Sequence, residues 1–241
     1  MFLVKMCSVQ DVRFFARDSK EVELHGFLWT PRTDDHQSLV CVFVHPWAKL
    51  GGSSANTEPF AEMLATHHGI QCLTFDLRGV GKSTGNSTYK CFREIEDVLG
   101  ACDFASKSLN KDVCHDCLQF IHIQIILVGT SAGAAIAGSC LSESSNIRAY
   151  VGIGYTFGYL SSWIFGGHFG AIMKSVKPKL FIMGSEDEFT SVEQLQARIS
   201  TMMSARCEII NGVHHFELEK TLFVREVTEI ITEFIRKVEE G

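Results

Sequence analysis

The sequence predicts an α/β fold: a mainly parallel sheet with helices on both faces, preceded by an antiparallel hairpin. Three observations predict it. Continuous runs of β-branched and other apolar residues recur at 39–45 (LVCVFVH), 70–75 and 123–128, as strands buried on both faces require. Segments with apolar residues at helical spacing lie between these runs, and strand–helix alternation builds parallel sheets. Ahead of them, the short apolar segments 12–16 and 22–29 flank the polar Asp18-Ser19-Lys20 and read as a hairpin.

The elements follow in order. Strand 39–45 runs into a loop rich in Gly and Ser at 46–54. Residues 59–67 form a helix with Phe60, Met63 and Leu64 on one face, and the strand at 70–75 follows. Residues 91–109 carry Ile95, Val98, Leu99 and Cys102 at helical spacing. A polar insertion, 108–122, separates this helix from strand 123–128. The remainder repeats the alternation: a helix from Ala132, strands 148–153 and 179–183, helix 192–202, strand 206–210 and helix 217–238. Residues 149–173 contain no Lys, Arg, Asp or Glu and are long enough to cross a bilayer. Their six glycines, hydroxyl residues and His168 argue instead for a short strand and then a loop-rich apolar cover at about 154–177.

Composition bounds the function. With 241 residues, 46% hydrophobic and 21% charged, the chain suits one domain spanning 1–241. The net charge of −6 and the scattered Lys and Arg exclude a surface that tracks nucleic-acid phosphates. Nine cysteines cannot all pair, and no amino-terminal signal pattern precedes them, so a reducing cytoplasm without stable membrane insertion is expected.

The chemistry concentrates in three loops. Gly129-Thr130-Ser131-Ala132-Gly133 follows a strand directly and opens a helix of small residues. At such a turn the serine backbone is strained, flanking glycines prevent clashes, and the hydroxyl stands clear of the sheet. The helix start beneath it favours negative charge. A nucleophilic serine needs a base, and the base needs an orienting carboxylate. Ser185-Glu186-Asp187-Glu188-Phe189 and Gly212-Val213-His214-His215-Phe216 supply acids and histidines, each after a strand. Carboxyl ends of parallel strands are where open α/β sheets place their sites, so the three loops converge on one edge.

Together these three motifs resemble the α/β-hydrolase superfamily of serine esterases and lipases. The resemblance implies the α/β-hydrolase fold, with Ser131 as nucleophile, Asp187 as orienting acid and His215, which precedes an aromatic residue, as base. It extends to Val44-His45-Pro46-Trp47, similar to the turn that supplies half of an oxyanion hole, so the backbone N–H groups of Trp47 and Ala132 are the expected donors, with Ala48 the alternative to Trp47. The side chain of His45 is expected to shape the turn. Phe75-Asp76-Leu77-Arg78-Gly79 resembles the turn after the fourth strand of this fold, with Asp76 and Arg78 structural. Gly81-Lys82-Ser83 lacks the first glycine of a phosphate-binding loop. Cys114-His115-Asp116-Cys117 lacks a second ligand pair apart from nearby His122, so no metal is expected.

The expectation is a hydrolase of a small carboxylic ester or thioester, working through an acyl-enzyme without a cofactor. A serine peptidase or amidase of the same fold is the enzyme alternative, and a non-catalytic small-molecule receptor is the alternative of another class.

Overall fold

The computed structural model describes residues 7–32, 38–109 and 123–240. Eight strands form one sheet: β1 (Cys7–Ala16), β2 (Ser19–Pro31), β3 (Leu39–Val44), β4 (Gln71–Phe75), β5 (Gln124–Thr130), β6 (Ile147–Ile153), β7 (Lys179–Gly184) and β8 (Ala205–Ile210). Their order is β1-β2-β4-β3-β5-β6-β7-β8. β1 and β2 pair antiparallel, β2 joins β4 antiparallel, and every pair from β4 onward is parallel. The hairpin is longer than its apolar segments predict. Within β2, Gly26–Trp29 pair in register with Phe75–Cys72 of β4.

The continuous apolar runs have the expected cause. Side chains alternate between the faces of a strand, so a run buried throughout needs cover on both sides. In β3, Val40, Val42 and Val44 join a core with Val98, Leu99 and Ile136, on α2 (Glu94–Leu109) and α3 (Ala132–Ser139). Leu39, Cys41 and Phe43 join an opposite core with Phe60 and Leu64 of α1 (Glu58–His67) and with Val227 and Ile231. Each fully buried side chain of this size contributes about 1.5–3 kcal/mol, so helices on both faces are held mainly by apolar burial.

Four larger departures from the periodic reading concern helices. α2 begins at Glu94, because Cys91 takes a positive φ of 56° and the Glu94 carboxylate accepts from the amide and hydroxyl of Thr88. The cover is helical instead of loop-rich: α4 (Tyr159–Phe165) and α5 (Phe169–Lys174) are joined by a 3-10 turn at Gly166–His168. Helices this short show too little periodicity to register as such in the sequence. α6 (Val192–Ile199) stops before Met202. The last predicted helix divides into a 3-10 turn at His215–Glu217 and α7 (Thr221–Glu240). No helix among the described residues is long and apolar enough to cross a membrane.

The strand order positions the site. The chain leaves β3 toward β4 on one side, then returns across β3 to β5 on the other. The loops after β3 and β5 therefore diverge at their carboxyl ends, the topological switch point where open α/β sheets form a crevice.

Candidate active site

Ser131 sits between β5 and α3 with φ 52° and ψ −121°, a conformation that costs on the order of 1–3 kcal/mol for a residue with a side chain. Its neighbours hold it there. The Ser131 amide donates to the carbonyl of Ile153 at 2.8 Å, which continues the β5–β6 ladder through the bend. A Cβ on Gly129 would lie 2.5 Å from the backbone of Ala134. The two glycines of the motif are thus steric requirements of the turn.

Asp187 follows β7 and His215 follows β8. One carboxylate oxygen of Asp187 accepts from the amides of Phe189 and Thr190, both at 2.9 Å, which fixes the side chain. The other lies 2.6 Å from His215 Nδ1, and His215 Nε2 lies 2.9 Å from Ser131 Oγ. Both side chains are almost wholly excluded from water, at 0% and 3% exposure for Asp187 and His215. With the proton on Nδ1 and donated to Asp187, Nε2 accepts from the serine hydroxyl. An imidazole held this way can take the Ser131 proton as the oxygen attacks and return it to a leaving group.

The neighbouring acids and histidine take other places. Glu188 accepts from the His215 amide at 3.2 Å and pairs with His214 Nδ1 at 2.8 Å. His214 is 54% exposed, so it lies at the loop surface. This Glu188 bridge has no local signal in the sequence. Gly154, at φ 60°, lies beneath the imidazole, where a Cβ would sit 3.0 Å from His215 Cε1.

The loop after β3 brings Trp47 to the opposite side of Ser131. His45 is fully buried: Nδ1 donates to the Pro46 carbonyl at 2.7 Å, and Nε2 accepts from the Leu77 amide at 3.1 Å. Both ring nitrogens are occupied and burial holds the imidazole below its ordinary pKa, so it is a neutral brace between the β3 and β4 loops. Asp76 adds a second tie by accepting from the Ser54 amide at 2.8 Å. Arg78 spans Asp18 and Asp97 at 2.9 and 2.7 Å. Among the described residues, neither the Trp47 amide nor the Ala132 amide has an acceptor. Both residues border the same cavity as Ser131.

Solved structures with this arrangement of strands are numerous. An α/β serine hydrolase homologue from Coxiella burnetii is similar at 20% identity and TM-score 0.72, covering 91% of this chain and 95% of that one. An esterase from Pyrococcus furiosus is similar at 21% identity and TM-score 0.72, covering 96% of this chain and 93% of its own. A Xanthomonas campestris α/β serine hydrolase described as lacking a lid is similar at 17% identity and TM-score 0.73, covering 98% and 96%. This chain has the α/β-hydrolase fold. No family model and no curated protein matches its sequence.

Within this α/β-hydrolase fold, Ser131 opens onto a cavity of about 300 Å³. The cover supplies Thr156, Ile164 and Phe165 to its wall. Tyr155, Phe157 and Phe169 belong to the core instead: Tyr155 stacks on Phe157, Phe169 meets Phe157 edge-on, and Phe181 of β7 meets Tyr155 edge-on. Trp163 is 78% exposed. The cover aromatics thus divide between core, wall and surface.

Two wall residues, Asn56 and Glu219, escaped the sequence reading. Asn56 lies in a 3-10 turn at the end of the Gly- and Ser-rich loop, between it and the predicted helix, where no periodic pattern exists. Glu219 falls where a continuous helix was expected. The Asn56 amide donates to Glu219 at 2.8 Å and joins the β3 loop to the histidine loop. The predicted insertion with Cys114, Cys117 and His122 lies outside the described residues. Among those described, no cluster of His, Cys, Asp or Glu could hold a metal ion.

Proposed function

We propose that this chain is a serine hydrolase that cleaves a small carboxylic ester or thioester through an acyl-enzyme. In this reading Ser131 is the nucleophile, His215 the general base and then acid, and Asp187 the group that fixes the imidazole tautomer. The amides of Trp47 and Ala132 receive the oxyanion, each such donor being worth about 3–4 kcal/mol in the transition state. The observation that carries the reading is the chain of hydrogen bonds from Ser131 through His215 to the buried Asp187, at the floor of an apolar cavity. The strain at Ser131 adds support, because backbone strain persists only where the surroundings enforce it.

The chain supplies every group these steps use, and none of them calls on a cofactor. A cytoplasmic site of action is part of the same proposal, supported by the buried thiols of Cys41, Cys72, Cys91, Cys102 and Cys140, all free. Labelling with a fluorophosphonate and mapping of the modified residue tests the assignment. Modification at Ser131 is expected in folded protein and absent after unfolding. A folded chain that leaves the probe unreacted belongs to the receptor reading.

A further inference from the structure

We propose that the cavity above Ser131 contains a subsite for a cationic group on the substrate, an alkylammonium or quaternary ammonium, with Glu219 as its counter-charge. This deepens the hydrolase reading and rests on it.

Among the described residues, Glu219 is the one side chain carrying a carboxylate in a wall otherwise built of apolar and small polar residues, including the rings of Trp47, Phe165, Phe189 and Phe216. Its Oε2 accepts from Asn56, and the buried Thr130 hydroxyl acts on the same group at longer range. Neither neighbour is a cation; His215 attracts Glu219 only while it holds the proton taken from Ser131, and among the described residues no Lys or Arg pairs with Glu219. The neighbouring acids are paired: Glu217 of the histidine loop with Lys220 at 2.8 Å, and Glu188 of the loop after β7 with His214 at 2.8 Å. Lys220, the adjacent cation, is therefore already engaged on the surface.

A carboxylate withdrawn from water without a counter-charge is costly, and one amide donor offsets only part of that cost. Burial accordingly pushes the Glu219 carboxyl above its ordinary pKa. A neutral hydroxyl in the cavity could add a hydrogen bond but would leave the charge uncompensated. An ammonium supplies both, and aromatic walls attract it further through their quadrupoles. The cavity also borders Ser131 and Ala132, so a substrate can place its ammonium in this wall and its carbonyl at the serine.

The test uses one acyl group esterified to choline and to its neutral isostere, in which a quaternary carbon replaces the nitrogen. The parent protein should favour the choline ester in kcat/KM, and Glu219→Gln should lower that ratio about tenfold. A parent without the preference, a ratio unmoved in Glu219→Gln, or a stronger preference for a neutral hydroxyl-bearing alcohol overturns the subsite. In parallel, Ser131→Ala protein is titrated with phenyltrimethylammonium by calorimetry, which reads the subsite without turnover. Saturable binding that weakens about tenfold in Ser131→Ala/Glu219→Gln is expected. Absence of binding to the singly substituted protein overturns the proposal, whatever the folding of the double variant. Fluorophosphonate labelling of the parent reports separately on the hydrolase reading: labelling without ammonium binding removes only the subsite, and binding without labelling removes the hydrolase.

Discussion

Gly133 and His45 meet backbone to backbone: a Cβ on Gly133 would lie 2.2 Å from the His45 carbonyl oxygen. This contact seats the first turn of α3 against the end of β3 and sets the distance between the Ala132 and Trp47 amides. Gly133→Ala should therefore force the two apart, costing about 1–3 kcal/mol of stability by overpacking. It should also slow fluorophosphonate labelling of Ser131 in protein that is still folded. A denaturation midpoint and a labelling rate read both effects, and a parental labelling rate would sink the idea.

Ser131→Ala and His215→Ala should each remove nearly all of kcat on a hydrolysed ester, by a factor on the order of 10⁶. The double variant should lose little more, because the two residues act in one step. Additive losses in steady-state assays would mean that they do not.

Asp187→Asn should cost about 10⁴ in kcat, since the amide no longer holds the required imidazole tautomer. His214→Ala should be mild, because its exposed ring pairs with Glu188 on the surface and not with Ser131. A dead His214→Ala alongside an active His215→Ala would reverse the assignment of the base.

Short acyl esters should be turned over faster than long ones. A cavity of about 300 Å³ under a short helical cover leaves limited room for a chain beyond the serine. A series of p-nitrophenyl esters of rising acyl length, assayed below micelle-forming concentrations, checks this. A maximum at the long end would contradict it.

Lys179 offers a test of the fold away from the site. Its ammonium is buried at the start of β7, donating to the carbonyls of Ser175 and Lys177, and burial lowers its pKa to about 8. The folded state releases this proton more readily than the unfolded state, whose lysine titrates near 10.4. Between about pH 8 and 10 the unfolded chain binds more protons, so this residue makes stability rise with pH across that window. Lys179→Met should lack that rise. Parallel denaturation curves for the two proteins over the same range would refute it.

Much of this was legible in the sequence, for physical reasons that differ by element. Strands such as Leu39–Val44 announce themselves because burial on both faces leaves no position for a polar residue. The Ser131 turn is legible because its strain admits only glycine at 129 and 133, where a Cβ would collide with backbone. The loops that carry Asp187 and His215 are marked by their places after strands, and the resemblance selects those two residues within them; the sheet then brings Asp187 to His215 and His215 to Ser131. The cover was misread because its helices have no more than two turns, too few to establish a period. Glu219 and Asn56 were missed because their meeting is tertiary: they lie 163 residues apart, and nothing local to either marks the contact.

The hydrogen bond between Ser131 and His215 spans 84 residues of chain, and the one between His215 and Asp187 spans 28. The first closes only after β6, β7 and β8 have all found their parallel register beside β5. Parallel pairings of this kind are long-range and slow to form, because loop entropy is lost before the contacts that reward it are made. During refolding, serine reactivity should thus emerge with the last registered strand, after helical content has recovered. No fragment ending before β8 can carry it.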